Sequence, residues 1–183
     1  MITLVLALLA IGFLQISVTY RHALLFSKAS IGKLLLVSFL LTFMNNLMAW
    51  VALLFTNAIR DTMFFDSTYA AMFILAILAF KAYFNTRRSK IADNVFDITQ
   101  PKLLVLLGLA TSFEVFIAVM GAGMIETELV PALIIVLAVS LFFSMLGFLA
   151  GRRPSQITSI RVFILIASVF YLLAALSTIY FLL

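Results

Sequence analysis

Six times along its length this chain runs apolar for about twenty residues, without the alternation a half-buried strand would show. The runs cover roughly residues 2–20, 33–56, 68–84, 103–124, 129–150 and 162–182. In hydrocarbon every backbone N–H and C=O must be bonded internally, which leaves helices or closed barrels. Runs of this length fit helices that cross a bilayer core about 30 Å thick. The composition agrees, at 66% hydrophobic and 10% charged residues. A soluble domain of 183 residues has too much surface to cover with so few polar side chains. The expected fold is all-α and integral to a membrane, with six transmembrane helices in a single domain, residues 1–183. The first run opens Met1-Ile2-Thr3-Leu4, with no basic n-region, so it is expected to stay as a helix rather than leave as a signal peptide.

The positive charges are sorted along the chain. Arg21, Lys28 and Lys33 flank the first connector. Lys81, Arg87, Arg88, Lys90 and Lys102 flank the third, and Arg152, Arg153 and Arg161 the fifth. These are eleven of the twelve Lys and Arg, and Arg60 alone lies elsewhere. The positive-inside rule then makes the odd connectors cytoplasmic and sends both termini outside. The net charge of +5 is read as orientation and contact with anionic lipid, not as a nucleic-acid surface. The polar connector 85–102 divides the chain into repeat 1 (1–84) and repeat 2 (103–183), each with three spans. An odd number of spans per half inserts the halves in opposite senses. Phe13 beside Phe113, and Phe73-Ile74-Leu75 beside Phe163-Ile164-Leu165, give a faint internal match. A 3+3 inverted repeat is the expected plan, with a site near the midplane.

Glu114 stands in an otherwise uncharged stretch, Leu103 to Ile125. A carboxylate at that depth costs about 2.5–3.5 kcal/mol on insertion scales, so it calls for a partner, a water path or an ion. It lies 12 residues after Lys102, about 18 Å at helical rise. Asn45 lies 12 residues after Lys33, at the same depth. Asn45 or Asn46 is therefore placed to face Glu114 if the two helices are neighbours. Gln15, Thr111 and Ser144 fall near the same level and are expected to help ring a small polar cavity supplied by spans 1, 2, 4 and 5. Glu114 and Asn45 are the expected metal ligands. Gly147 and Gly151, with Ser140 and Ser144, form a small-residue stripe for close helix packing, within the chain or across a homodimer.

Several classes are excluded. No cysteine means no thiolate metal site and no disulfide exchange. His22 is the only histidine, too few for an imidazole cluster. Eight Met are read as packing residues. No nucleotide-binding loop is recognisable, so coupling is expected to come from a proton gradient or the membrane potential. No nucleophile–base pair can be assigned, and the chain is not expected to be an enzyme.

Thr111-Ser112-Phe113-Glu114, then Ser144-Met145-Leu146-Gly147 and Gly151-Arg152, resemble the manganese efflux pump family of the LysE transporter superfamily. That family carries a T-S-hydrophobic-acid motif in its fourth span and S-x-L-G-x-x-x-G-R closing its fifth. The related TerC-type proteins are similar over Ser112 to Gly123. The resemblance implies a multi-pass protein of the bacterial inner membrane. It implies export of Mn2+ or another divalent cation as substrate, with no permanently bound cofactor. The first half departs from the pattern. Family members usually carry an acid in span 1 after a glycine, where this chain has Gly12-Phe13-Leu14-Gln15, and another in span 2, where it has Asn45 and Asn46. One carboxylate with neutral oxygens leaves a divalent ion at net +1. That opens two alternatives: the same fold with another cation or a small solute as substrate, or a non-transporting membrane scaffold subunit.

Overall fold

The structure is a computed structural model and describes residues 2–23, 31–60, 62, 66–87, 101–125, 128–151 and 158–181. Six helices carry the described chain: α1 Ile2–Ala23, α2 Ile31–Arg60, α3 Ser67–Arg87, α4 Pro101–Gly123, α5 Leu129–Gly151 and α6 Thr158–Ser177. A 3-10 turn, Thr178–Phe181, extends α6. Each of the six is long and apolar enough to cross a membrane. Most ends lie a few residues beyond the apolar runs, because the helix ladder continues into the polar interface. Arg21, Arg60 and Arg87 thus sit in last helical turns, where a cation complements the carbonyl end of the helix dipole. Lys28, Arg88, Lys90, Arg152 and Arg153 lie outside the described residues.

The helices turn apolar stripes outward. Phe39, Phe43, Leu47, Trp50 and Leu54 form one on α2, and Phe73, Ile77, Phe80 and Phe84 one on α3, all exposed. The spacing of three and four residues keeps each stripe on one face. A soluble bundle would turn such faces inward; lipid accepts them here. The opposite faces are lined with small residues. Ala49 and Ala52 on α2, Ala71, Ala79 and Ala82 on α3, and Ala118 and Ala122 on α4 are all buried.

Packing joins the two halves of the chain rather than neighbours in sequence. α1 lies against α5 and α6, with a smaller contact to α4. α2 lies against α4 and α5, and α3 against α6 and, less extensively, α4. α1 is the inner helix, 61% buried over its apolar window, whereas α5 is only 22% buried and faces outward over most of its surface. Thr3 and Ser177 share a hydroxyl hydrogen bond of 2.8 Å between α1 and α6, and Ser168 of α6 donates to the Ala79 carbonyl of α3 at 2.9 Å. α3 starts with a polar cap. One carboxylate oxygen of Asp66 accepts the Thr68 N–H at 2.8 Å, and this bond holds the exposed Asp66 below its ordinary carboxylate range.

The expected small-residue stripe is used inside the chain. A Cβ placed on Gly147 would meet the Thr19 hydroxyl and the Ile16 carbonyl of α1, and one on Gly151 would meet the Tyr20 carbonyl at 2.6 Å. The α5 face carrying both glycines is therefore taken by α1 and is not free to form a dimer seam. Close approach here sets the register of α1 on α5, and that register brings Gln15 level with Ser144.

Candidate functional site

Four helices contribute to one small cavity of about 20 Å³. It is lined by Gln15 with Ile11, Leu14 and Val18 of α1, Asn45 of α2, Thr111, Glu114 and Val115 of α4, and Tyr171 of α6. That volume suits a species the size of one water molecule. The α4 residues follow from helical spacing, because Thr111, Glu114 and Val115 are separated by three and four positions and share a face.

A hydrogen-bonded chain supports the wall on the α1 side. The Asn45 amide nitrogen donates to the Gln15 amide oxygen at 2.8 Å and to the Ser140 hydroxyl at 3.3 Å. The Gln15 amide nitrogen donates to the Ser144 hydroxyl at 2.6 Å. All four side chains are buried. This chain fixes both amides, since turning either one over would bring like atoms together. It leaves the Asn45 amide oxygen buried without a partner. The Tyr171 hydroxyl, on a residue with no exposed surface, is also without one. An unmet buried oxygen costs about 1–3 kcal/mol. Two of them belong to residues lining this one cavity, where a cation or a hydrogen-bond donor could meet them. The Thr111 hydroxyl donates back to the Leu107 and Gly108 carbonyls, each at 3.0 Å, which commits its proton and leaves its oxygen able only to accept.

Glu114 meets a partner outside this ring. One carboxylate oxygen accepts a 2.7 Å hydrogen bond from the Lys81 ammonium of α3. The Glu114 side chain is 25% exposed and that of Lys81 50%, so the pair lies at the rim, not in the bundle centre. Lys81 belongs by position with the cations of the third connector, but its ammonium reaches inward. It stands six residues before Arg87, about 9 Å inside the helix end. Glu114 and Lys81 together carry no net charge.

The sequence-derived set is thus mostly brought together. Glu114, Asn45, Gln15 and Thr111 line the cavity, and Ser144 stands behind Gln15 as its hydrogen-bond acceptor. Asn45 shares the cavity with Glu114 but bonds to Gln15 and Ser140. Asn46 is not among the lining residues, and its amide oxygen is buried without a partner elsewhere on α2. Adjacent helical positions differ by about 100°, so only one of the two asparagines can face the cavity. Lys81 and Tyr171 are additions. Lys81 is the one cation inside its apolar run, and Tyr171 lies mid-span, away from the interfacial levels where Tyr is usual. Among the described residues there is no group of three or more His, Cys, Asp or Glu side chains arranged to hold a metal.

A six-helix membrane protein with a small cavity lined from four helices, largely apolar but bearing Glu114, Asn45, Gln15, Thr111 and Tyr171, has a form that a small-ion or small-solute transporter can use. The chain belongs to the manganese efflux pump family: the family model described as "Putative manganese efflux pump" matches residues 28–176. No curated protein and no solved structure matches the chain. Family membership and six membrane-crossing helices make this a multi-pass protein of the cell membrane.

Proposed function

We propose that the chain is a secondary transporter that exports a divalent cation, Mn2+ first among candidates, through the cavity bounded by Glu114. The observation that carries this reading is the cavity itself. Residues that carry carboxylate, amide and hydroxyl oxygens line it from α1, α2, α4 and α6, and two of them, Asn45 and Tyr171, have buried oxygens without a partner. Carboxylate, carbonyl and water oxygens are the ligands Mn2+ accepts. Glu114 supplies the charge. The Asn45 amide oxygen, the Tyr171 hydroxyl and the Thr111 lone pairs replace water oxygens. Gln15 and Ser140 hold Asn45 in place, and Ser144 in turn holds Gln15.

Helix pairing supports the inverted-repeat plan. Exchanging α1 with α4, α2 with α5 and α3 with α6 turns the α1–α5 contact into α4–α2 and the α1–α6 contact into α4–α3; it leaves α2–α5 and α3–α6 unchanged. Repeats 1–84 and 103–183 would then rock about the cavity to open it to either side. The basic connectors favour termini outside. Membrane potential, at about 2.3 kcal/mol per charge per 100 mV, opposes outward movement of a cation. Proton antiport is the natural coupling, with Glu114 taking proton and metal in turn.

The test is Mn2+ flux in proteoliposomes. An imposed proton gradient is expected to drive Mn2+ in the opposite direction, and vesicles without protein to show none. Flux of a different cation with none of Mn2+ would retain the fold and change the substrate.

The neutral first-half wall gives a second expectation. Asn45→Asp restores a carboxylate and brings the site charge with a divalent ion from +1 to zero, apart from Lys81. Gln15 can turn its amide over to donate to the new carboxylate and accept from Ser144, so the supporting chain survives. Mn2+ should bind about tenfold tighter or more, since a unit charge at contact distance is worth several kcal/mol at an effective dielectric constant near 20. Equilibrium titration of the purified protein checks this.

A further inference from the structure

The Lys81–Glu114 pair has features that a purely structural ion pair does not need. Lys81 touches Glu114 through a single bond to one carboxylate oxygen, at 2.7 Å. The same Glu114 lines the cavity on its other side. Lys81 is half exposed and lies about 9 Å from the Arg87 end of α3. Its four-carbon stem is long enough to carry the ammonium from Glu114 toward the polar interface while the methylenes stay in apolar surroundings. A fully buried lysine would be enclosed; half exposure leaves this one room to swing away from Glu114, and that swing is its exit.

Charge arithmetic gives the exit a purpose. With the ammonium in place the pair is neutral, and a divalent ion entering the cavity would raise the site to +2 in a medium that screens poorly. With the ammonium withdrawn the total falls to +1. Entry of a cation and departure of Lys81 are thus favoured together. We propose that Lys81 is a tethered cation that occupies Glu114 in the substrate-free protein and exchanges with the substrate cation. Lys81 sets the affinity by competing for the carboxylate, and it leaves Glu114 neutralised when the site turns over without cargo. This inference rests on the transporter reading above and adds to it the residue that takes the place of the substrate.

Amine-reactive labelling of the protein in nanodiscs, read peptide by peptide by mass spectrometry, tests the exchange with MnCl2 as probe, alongside a Mn2+ titration of the same sample. Saturating Mn2+ is expected to raise the labelling rate of Lys81 by about fivefold or more, while Lys33 and Lys102 keep their rates. In Glu114→Gln, Lys81 should label at the higher rate with or without Mn2+. Lys81→Met should bind Mn2+ about tenfold tighter, because the competitor is gone. A Lys81 rate unmoved by Mn2+ in a sample that binds the ion, or a Lys81→Met affinity equal to wild type with only thermal stability reduced, overturns the exchange and leaves the transporter reading in place. A wild-type protein that binds no Mn2+ overturns both.

Discussion

Glu114→Gln lowers Mn2+ flux by about a hundredfold or more, to the level of empty vesicles, at matched protein insertion. Glutamine keeps the shape of the side chain and removes its charge. The cavity then offers a cation only amide and hydroxyl oxygens, and the Lys81 ammonium nearby is no longer balanced. At contact distance and an effective dielectric constant near 20, a unit charge contributes about 4 kcal/mol, which is more than enough for the expected loss. Insertion and folding should survive. The half-exposed Lys81, no longer held by a carboxylate, can turn toward the interface. Flux assays on reconstituted protein, with the amount inserted measured by quantitative gel, separate loss of transport from loss of protein. A mutant that transports at the wild-type rate would remove Glu114 from the ion path.

A leucine at Gly151 is expected to act through a different cause, loss of the fold. The first side-chain atom would stand 2.6 Å from the Tyr20 carbonyl and 2.5 Å from the Ala23 side chain, and backbone cannot move aside as a flexible side-chain tip can. α5 would have to move off α1, one of the broadest helix contacts in the bundle, and the Gln15–Ser144 bond would part with it. Overpacking of this kind costs about 1–3 kcal/mol even where a core can adjust, and more where it meets backbone. Gly151→Leu should lose its monodisperse peak in detergent, and Gly151→Ala should show a lowered thermal midpoint. Gly32→Leu is the control, because a Cβ at Gly32 meets nothing within 4 Å. Equal stability of the two leucine variants would mean that α1 and α5 are not held together at these glycines.

The sequence reads well where lipid is the judge. Six apolar runs dictate six helices, and counting 12 residues from Lys33 and from Lys102 places Asn45 and Glu114 at one depth. The Thr111-Ser112-Phe113-Glu114 stretch carries the resemblance that the family match over residues 28–176 bears out. Azimuth is harder to read than depth. Asn45 and Asn46 share a level, and only the packing of α2 against α4 and α5 decides that Asn45 takes the cavity. Lys81 was visible as a charge inside an apolar run, but its meeting with Glu114 depends on α3 lying beside α4, which no local pattern announces. Tyr171 is similar: it lines the cavity because α6 packs on α1, not because of its neighbours in sequence. The glycines of α5 could serve a contact within the chain or between chains until the position of α1 was known.

Mn2+ binding followed by the loss of the free-ion electron paramagnetic resonance signal, in wild type and Glu114→Gln side by side, bears most directly on a mid-membrane cation site. One Mn2+ per chain in the wild type and none in the mutant is the expected result. Equal binding in the two proteins, or none in either, would contradict a manganese site at Glu114.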